Sequence, residues 1–388
     1  MVQKRRTMAV AVILVVVVVA AFSAQPVSAA GRRDPVRITR LLGERSLPHM
    51  TRLDGTTVGG LSGIDHDPRT GVWYFVSGDR WRYNPARFYT GRLQIDRDTG
   101  EFRGVRLTGV TTLTRADGTP YPGYGKRESA DPESIRFDRW NGRLLWGDEG
   151  DRPDDRNPRI PLSQPAVRGM DRQGRHLGAF PLPRVLRLTR AERGPRRNFG
   201  FEGLAVTPRV VTAVTEGPRY EDGALPTAGR GAPVRVTVWS RDGRLRGQYA
   251  YPLGALPAAP VPPTGDADSG VSEILAVDDL RYLALERSWM QGVGYRARLY
   301  EFDLRGATDV LGRRSLADGR PYRPVTKRLV LDLSAAASQA DTQVQNYESL
   351  AWGPRLASGE CTLVVGSDDN FSQEEVTRFL AFGATGCR

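Results

Sequence analysis

Acidic residues recur along this chain at nearly constant spacing, and that spacing poses the first chemical question. The segments Gly60-Leu61-Ser62-Gly63-Ile64-Asp65, Asp131-Pro132-Glu133-Ser134-Ile135-Arg136, Gly200-Phe201-Glu202-Gly203-Leu204-Ala205, Val271-Ser272-Glu273-Ile274-Leu275-Ala276 and Asn346-Tyr347-Glu348-Ser349-Leu350-Ala351 are versions of one motif. Aligned on residues 62, 133, 202, 273 and 348, they lie 71, 69, 71 and 75 residues apart. After each copy comes a short β-favouring run that ends in an acid: Asp79, Asp148 or Glu149, Glu216, Glu286 and Asp368.

If every repeat folds alike, these acids gather on one face. So many carboxylates cannot all stay ionised side by side, because like charges raise one another's pKa. A positive partner is required, and two kinds are at hand. One is Ca²⁺, which takes six to eight oxygen ligands from flexible carboxylates and carbonyls. The other is arginine, since Arg80, Arg152, Arg219 and Arg287 follow the strand-end acids within one to three residues. Acid–arginine pairs would staple neighbouring repeats, as repeated residues in repeat folds often do. In the cation reading, Asp79, Asp148, Glu149, Glu216, Glu286, Glu348 and Asp368 hold the metal. Glu133, Glu202 and Glu273 are then the candidate catalytic carboxylates. Arg80, Lys126, Arg127, Arg219 and Arg287 would grip phosphate oxygens, to which the guanidinium fork is suited.

The elements that must position these residues follow from the period. Recurrence every 70 or so residues marks a repeat architecture. Within a period the runs are strand-like, and Asp98-Thr99-Gly100 and Arg241-Asp242-Gly243 supply hairpin turns. Alternation such as Val234-Arg235-Val236-Thr237-Val238 suits a strand. Four antiparallel strands per repeat is the blade of a β-propeller. The expected fold is therefore all-β, with five four-stranded blades; the long inserts 97–130 and 150–175 leave room for a sixth. The last repeat runs out after its third strand, while a spare run, Val36 to Leu42, precedes the first. That N-terminal strand would close the ring as the outer strand of the final blade. A pair of β-sandwiches is the rival, but the period continues through the middle of the chain.

The N-terminus reads as a cleaved export signal. Lys4, Arg5 and Arg6 precede an apolar run from Met8 to Phe22, and Val27-Ser28-Ala29-Ala30 offers small residues for cleavage after Ala29 or Ala30. Fifteen apolar residues fall short of the roughly 20 that a membrane-spanning helix needs. The domain is then 30–388, exported, with no membrane span after cleavage and expected as a monomer. Cys361 and Cys387, the only cysteines, read in an oxidising compartment as one disulfide, against two buried thiols. With 56 Lys plus Arg against 44 Asp plus Glu, the chain carries a formal charge of +12. That excess attracts anions. It is spread along the chain without a recognition-helix pattern, so a small anionic substrate is expected and nucleic acid is not.

Phe199-Gly200-Phe201-Glu202-Gly203-Leu204-Ala205-Val206, with its variants at Asn346 to Ala351 and Asp131 to Ser134, resembles the hallmark of a secreted bacterial family with a phytase-like or esterase-like propeller domain. The resemblance runs over about residues 50 to 385. It implies a phosphoester or ester hydrolase, calcium-dependent as the related propeller phytases are. Ser62 departs from the pattern, which removes one carboxylate from the ring. No Gly-x-Ser-x-Gly elbow is present, so a serine esterase with the usual triad is unsupported. Beside the metal-assisted hydrolase stand a non-catalytic propeller that binds an anionic ligand or cell-surface partner, and an oxidoreductase or lactonase of related fold.

Overall fold

A computed structural model describes residues 34–335 and 343–387; the expected export signal lies outside the described residues. The chain forms five four-stranded antiparallel blades arranged as a β-propeller. It begins with β1 (Arg37–Ser46) and a short hairpin, β2 (Arg52–Leu53) and β3 (Thr56–Thr57). Blade one is β4 (Gly63–His66), β5 (Trp73–Ser77), β6 (Arg87–Ile95) and β7 (Phe102–Thr112). Blade two is β8 (Pro132–Asp138), β9 (Arg143–Asp148), β10 (Ala166–Met170) and β11 (His176–Ala179). Blade three is β12 (Phe201–Val206), β13 (Val210–Thr215), β14 (Ala232–Ser240) and β15 (Leu245–Leu253). Blade four is β16 (Ala267–Ala276), β17 (Arg281–Met290), β18 (Gly294–Asp303) and β19 (Thr326–Asp332). Blade five is β20 (Tyr347–Arg355), β21 (Cys361–Ser367) and β22 (Arg378–Thr385), completed by β1.

The N-terminal strand therefore does close the ring: β1 pairs with β22 from Arg37↔Thr385 to Ser46↔Arg378. The disulfide between Cys361 and Cys387, with Cα atoms 6.4 Å apart, ties the start of β21 to the chain end beside it. No sixth blade forms among the described residues. The insert 97–130 supplies β7 and a long loop, and 150–175 supplies β10 behind its polar loop.

There is no central core. Buried apolar side chains divide into five seams, one between each pair of adjacent blades, and a small cluster of Ala250, Val310 and Leu316. Trp73, Phe75 and Tyr89 of blade one meet Val364 and Phe379 of blade five. Tyr74, Val76 and Phe88 on the other face of blade one meet Ile135, Leu144 and Trp146. Leu145 and Val167 meet Phe201, Val211 and Trp239. Val214, Val236 and Tyr251 meet Ile274, Tyr282 and Phe302. Leu283, Leu285 and Leu299 meet Leu350, Leu363 and Val365. The second strand of each blade is thus covered on both faces. That is why Trp73 to Ser77, Val211 to Thr215 and Cys361 to Ser367 are buried without alternation. Outer strands such as β7 and β19 are mostly exposed or half-buried. Each large apolar side chain in a seam contributes roughly 1.5–3 kcal/mol.

The inner strands β4, β8, β12, β16 and β20 stand side by side around the axis. Their approach is close enough to demand glycine in places: a Cβ on Gly203 would lie 2.6 Å from the Ile274 amide nitrogen. One long side chain fills the axis. The buried Arg136 guanidinium donates to the carbonyls of Ile64, Ile135, Leu204 and Ile274, which belong to blades one to four. It also lies 2.7 Å from the Glu273 carboxylate, whose other oxygen accepts the Leu204 and Ile274 amides.

Removing one partner of such a buried pair leaves an uncompensated charge, at a cost of roughly 3–5 kcal/mol. Arg136→Met should lower unfolding stability by about that amount in a urea titration. Adding Glu273→Met should recover only part, because the carbonyls of three other blades stay without their donor. A single-variant loss below about 1 kcal/mol would show that the hub does not hold the ring together.

Candidate functional site

Each inner strand starts at one face of the propeller, and each second strand ends there. The first strands carry a β-bulge at that point: the ladder jumps between Pro132 and Ser134, Phe201 and Gly203, Val271 and Glu273, and Tyr347 and Ser349. A bulge leaves its extra residue out of the ladder and re-aims its side chain. The bulged residues are Glu133, Glu202, Ser272 and Glu348, with Ser62 in the corresponding place before Gly63.

The other row of the site comes from the residue that follows the second strand. The amides of Gly78, Glu149, Glu216 and Asp368 donate to the carbonyls of Gly60, Asp131, Gly200 and Asn346. In blade four the equivalent pairing is Gly270↔Arg287. The five positions are therefore Gly78, Glu149, Glu216, Arg287 and Asp368.

This register corrects four of the expected site residues. Glu273 stands one step beyond the bulge, where Ser134 and Gly203 stand in their blades, and is the axial partner of Arg136. Glu286 is one residue early. It accepts from the Tyr251 hydroxyl at 2.7 Å, the Gly254 amide and Lys327, between blades three and four. Asp79 is one residue late; it pairs with Arg87 and accepts the Tyr83 and Asn84 amides. Asp148 pairs with Arg168 and accepts the Asp131 and Gly150 amides. All four carboxylates are already satisfied by protein donors. Repeat spacing could not reveal this, because a one-residue slip turns a strand's side chain to the other face.

The remaining acids do converge. One carboxylate oxygen each from Asp131, Glu133 and Glu149 lies within 4.8 Å of the others, and the same holds for Glu149, Glu202 and Glu216. Glu149 belongs to both groups. Asp131, buried just before the bulge of blade two, was not anticipated; its signal was the acid at the head of Asp131-Pro132-Glu133.

Two of the expected arginines enter the cluster. Arg80 crosses from blade one to Asp131 and to Glu149 at 3.1 Å, and also bonds Asn198. Arg287 joins Glu216 at 2.9 Å, Glu348 at 3.2 Å and Asp268 at 2.7 Å. Both are staples between blades. Arg219 turns elsewhere, to Glu221, Asp222 and the Arg314 carbonyl. Lys126 and Arg127 are exposed, and no carboxylate holds either of them among the described residues.

Two arginines do not match the acids they serve. The Glu202 side chain has no hydrogen-bond donor among the described residues, and Glu216 Oε2 is buried without a partner. Burial first, and then Glu133, Glu216, Glu149 and Glu348, hold the Glu202 carboxyl well above its ordinary value. Burial and Asp131 do the same to Glu133 and Glu149, and burial and Asp268 to Glu216. Asp368, raised by burial and Glu348, is held by the Asn370 amide and Ser62. A buried, donor-poor set made only of oxygens fits a hard cation such as Ca²⁺.

A five-bladed propeller with a carboxylate cluster at one end of its axis is the class that fold and site define. The chain belongs to the phytase-like family described as esterase-like activity of phytase, whose pattern matches residues 56–371. That description is of a hydrolase-type propeller. No curated protein sequence matches the chain. Among solved structures it is similar to a GH43 β-1,3-galactosidase with galactodeoxynojirimycin, at 11% identity, 87% of this chain, 94% of that one and a TM-score of 0.43. It is similar also to the GH62 α-L-arabinofuranosidase catalytic domain of Coprinopsis cinerea, at 10% identity, 83% and 91% coverage and a TM-score of 0.38. A xylan β-1,4-xylosidase from Bacillus halodurans gives 13% identity, 84% of this chain, 52% of that one and a TM-score of 0.42. Likeness at this level carries no argument about activity.

The raised carboxyls fix the sign of a pH effect. Their folded-state pKa values exceed those of the unfolded chain, so folding takes up protons and stability falls as pH rises. The loss begins near the ordinary glutamate value of 4.5 and continues through the raised values. Glu273, pushed up to about 8 by burial against the pull of Arg136, acts in the same direction. Urea unfolding of the metal-free protein should show lower stability at pH 8 than at pH 5.5. Glu202→Gln should flatten that slope. An unchanged slope in the variant would mean that Glu202 bears no electrostatic strain.

Proposed function

We propose that the chain is a calcium-assisted hydrolase of phosphoester or ester bonds, acting outside the cytoplasm on a small, anionic, phosphorylated substrate. The observation that carries this reading is the surplus of buried carboxylate at the axis: Glu202 without a donor and Glu216 Oε2 without a partner. Family membership supports the hydrolytic part. The Cys361–Cys387 disulfide fits an oxidising compartment, and no helix among the described residues is long and apolar enough to cross a membrane.

In this reading Glu149, Glu202 and Glu216 hold the cation, with Glu348 and Asp368 beside them. Calcium bound there would supply positive charge to the phosphate oxygens of the substrate. Glu133, whose carboxyl meets that of Asp131 and is raised above its ordinary value by burial, would serve as the proton donor to the leaving oxygen. Arg80 has 26% of its side chain exposed, so of the two arginines it is the better placed to meet a substrate phosphate. Arg287, at 8%, orients Glu216 and Glu348. The non-catalytic reading also has an observation behind it, since Arg80 and Arg287 are already engaged by protein carboxylates.

Calcium titration of the metal-stripped protein by calorimetry, with phosphate release from inositol hexakisphosphate followed on the same sample, separates the readings. Micromolar or tighter binding with calcium-restored turnover is expected. Glu202→Gln and Glu216→Gln should each cut both by at least tenfold, while Glu286→Gln leaves calcium affinity unchanged. Binding without turnover on this and an ester substrate would leave a structural ion. Absence of both would overturn the proposal.

A further inference from the structure

The other end of the axis holds a cavity of about 550 Å³, lined by the ends of the inner strands and the turns that follow them. Its character is opposite to that of the carboxylate cluster. Arg97, Arg139 and Arg355 border it, and none of the three has a carboxylate partner among the described residues. Arg97 donates to the Arg355 carbonyl at 3.1 Å, and Arg355 to the Gly359 carbonyl at 2.7 Å. Arg139 lies 4.6 Å over the ring of Trp140, which is 42% exposed.

The acids of the cavity do not balance these arginines. Asp278 is taken by Arg281. Asp65 accepts the Phe137 amide at 2.6 Å, beside Arg136 and Arg139. Between the rim and this floor the wall is apolar, with Val206, Ala276 and the half-buried Trp352, whose indole nitrogen donates to the Ala276 carbonyl. A pocket with an apolar wall, an exposed indole and three guanidinium groups at its border suits a planar apolar body bearing a negative charge.

We propose that this cavity is a second binding site, for a small organic anion with an aromatic body: the anionic group meets Arg97, Arg139 and Arg355, and the ring packs against Trp140 and Trp352. Arg136 and Glu273 plug the axis, so this site is separate from the carboxylate cluster and does not depend on the activity proposed there.

The test uses the folded full domain and 2-naphthalenesulfonate as probe, with uncharged 2-naphthol and inorganic sulfate as comparators, all by calorimetry. The sulfonate should bind at one site per chain, and raising the salt should weaken it. Arg139→Ala and Trp140→Leu change exposed side chains, and each should weaken binding at least fivefold. Arg97→Ala combined with Arg139→Ala should weaken it at least twentyfold. Glu202→Gln should leave it unchanged. Equal affinity for 2-naphthol would mean an apolar patch without anion recognition and would overturn the proposal. So would sulfonate binding that survives the double variant, or no binding at all.

Discussion

A guanidinium group buried on the axis of a ring must be satisfied by the strands around it, and Arg136 meets that condition by drawing on four of the five blades. Its bonds to the carbonyls of Ile64, Ile135, Leu204 and Ile274 are possible only when the inner strands stand at one mutual spacing. Glu273 completes the arrangement by pairing with the guanidinium through one oxygen and accepting two amides through the other. The apolar seams drive the blades together but are not directional; the axial pair supplies the direction. It also closes the axis, so that the two faces present separate sites.

Those faces differ in charge for a structural reason. On one, three bulges and three strand ends aim glutamate and aspartate inward, where arginine is scarce. On the other, the inner strands run out into turns that carry arginine and tryptophan. The chain's overall basic charge hides this polarity, because its arginines are spread along the whole chain rather than gathered on one face.

The fold was legible because it repeats. Even spacing, four β-favouring runs per period and hairpin turns such as Asp98-Thr99-Gly100 are local signals that long-range packing had no cause to override. The closing role of Val36 to Leu42 followed from counting strands, since a ring one strand short at its C-terminus needs that strand from the other end. The cysteine pair followed from an even count in a chain read as exported. Less was legible at the site. Glu133, Glu202, Glu149 and Glu216 come together as expected, yet Glu273, Glu286, Asp79 and Asp148 do not join them. Glu273 looked like Glu202 because each is followed by an apolar inner-strand run.

The sequence by itself determined the four-stranded repeat, the order of the blades and the face on which the acids would collect, because these depend on strand count and period; the structure decided that the long inserts add no sixth blade among the described residues. Only the tertiary structure decided which acids reach the axis. A bulge adds one residue to a strand without altering the hydrophobic pattern around it, and one residue separates a side chain aimed at the carboxylate cluster from one aimed between blades. In blade four that single step puts Ser272 at the bulge and Arg287 at the strand end. It sends Glu273 to the axial arginine and Glu286 to Lys327.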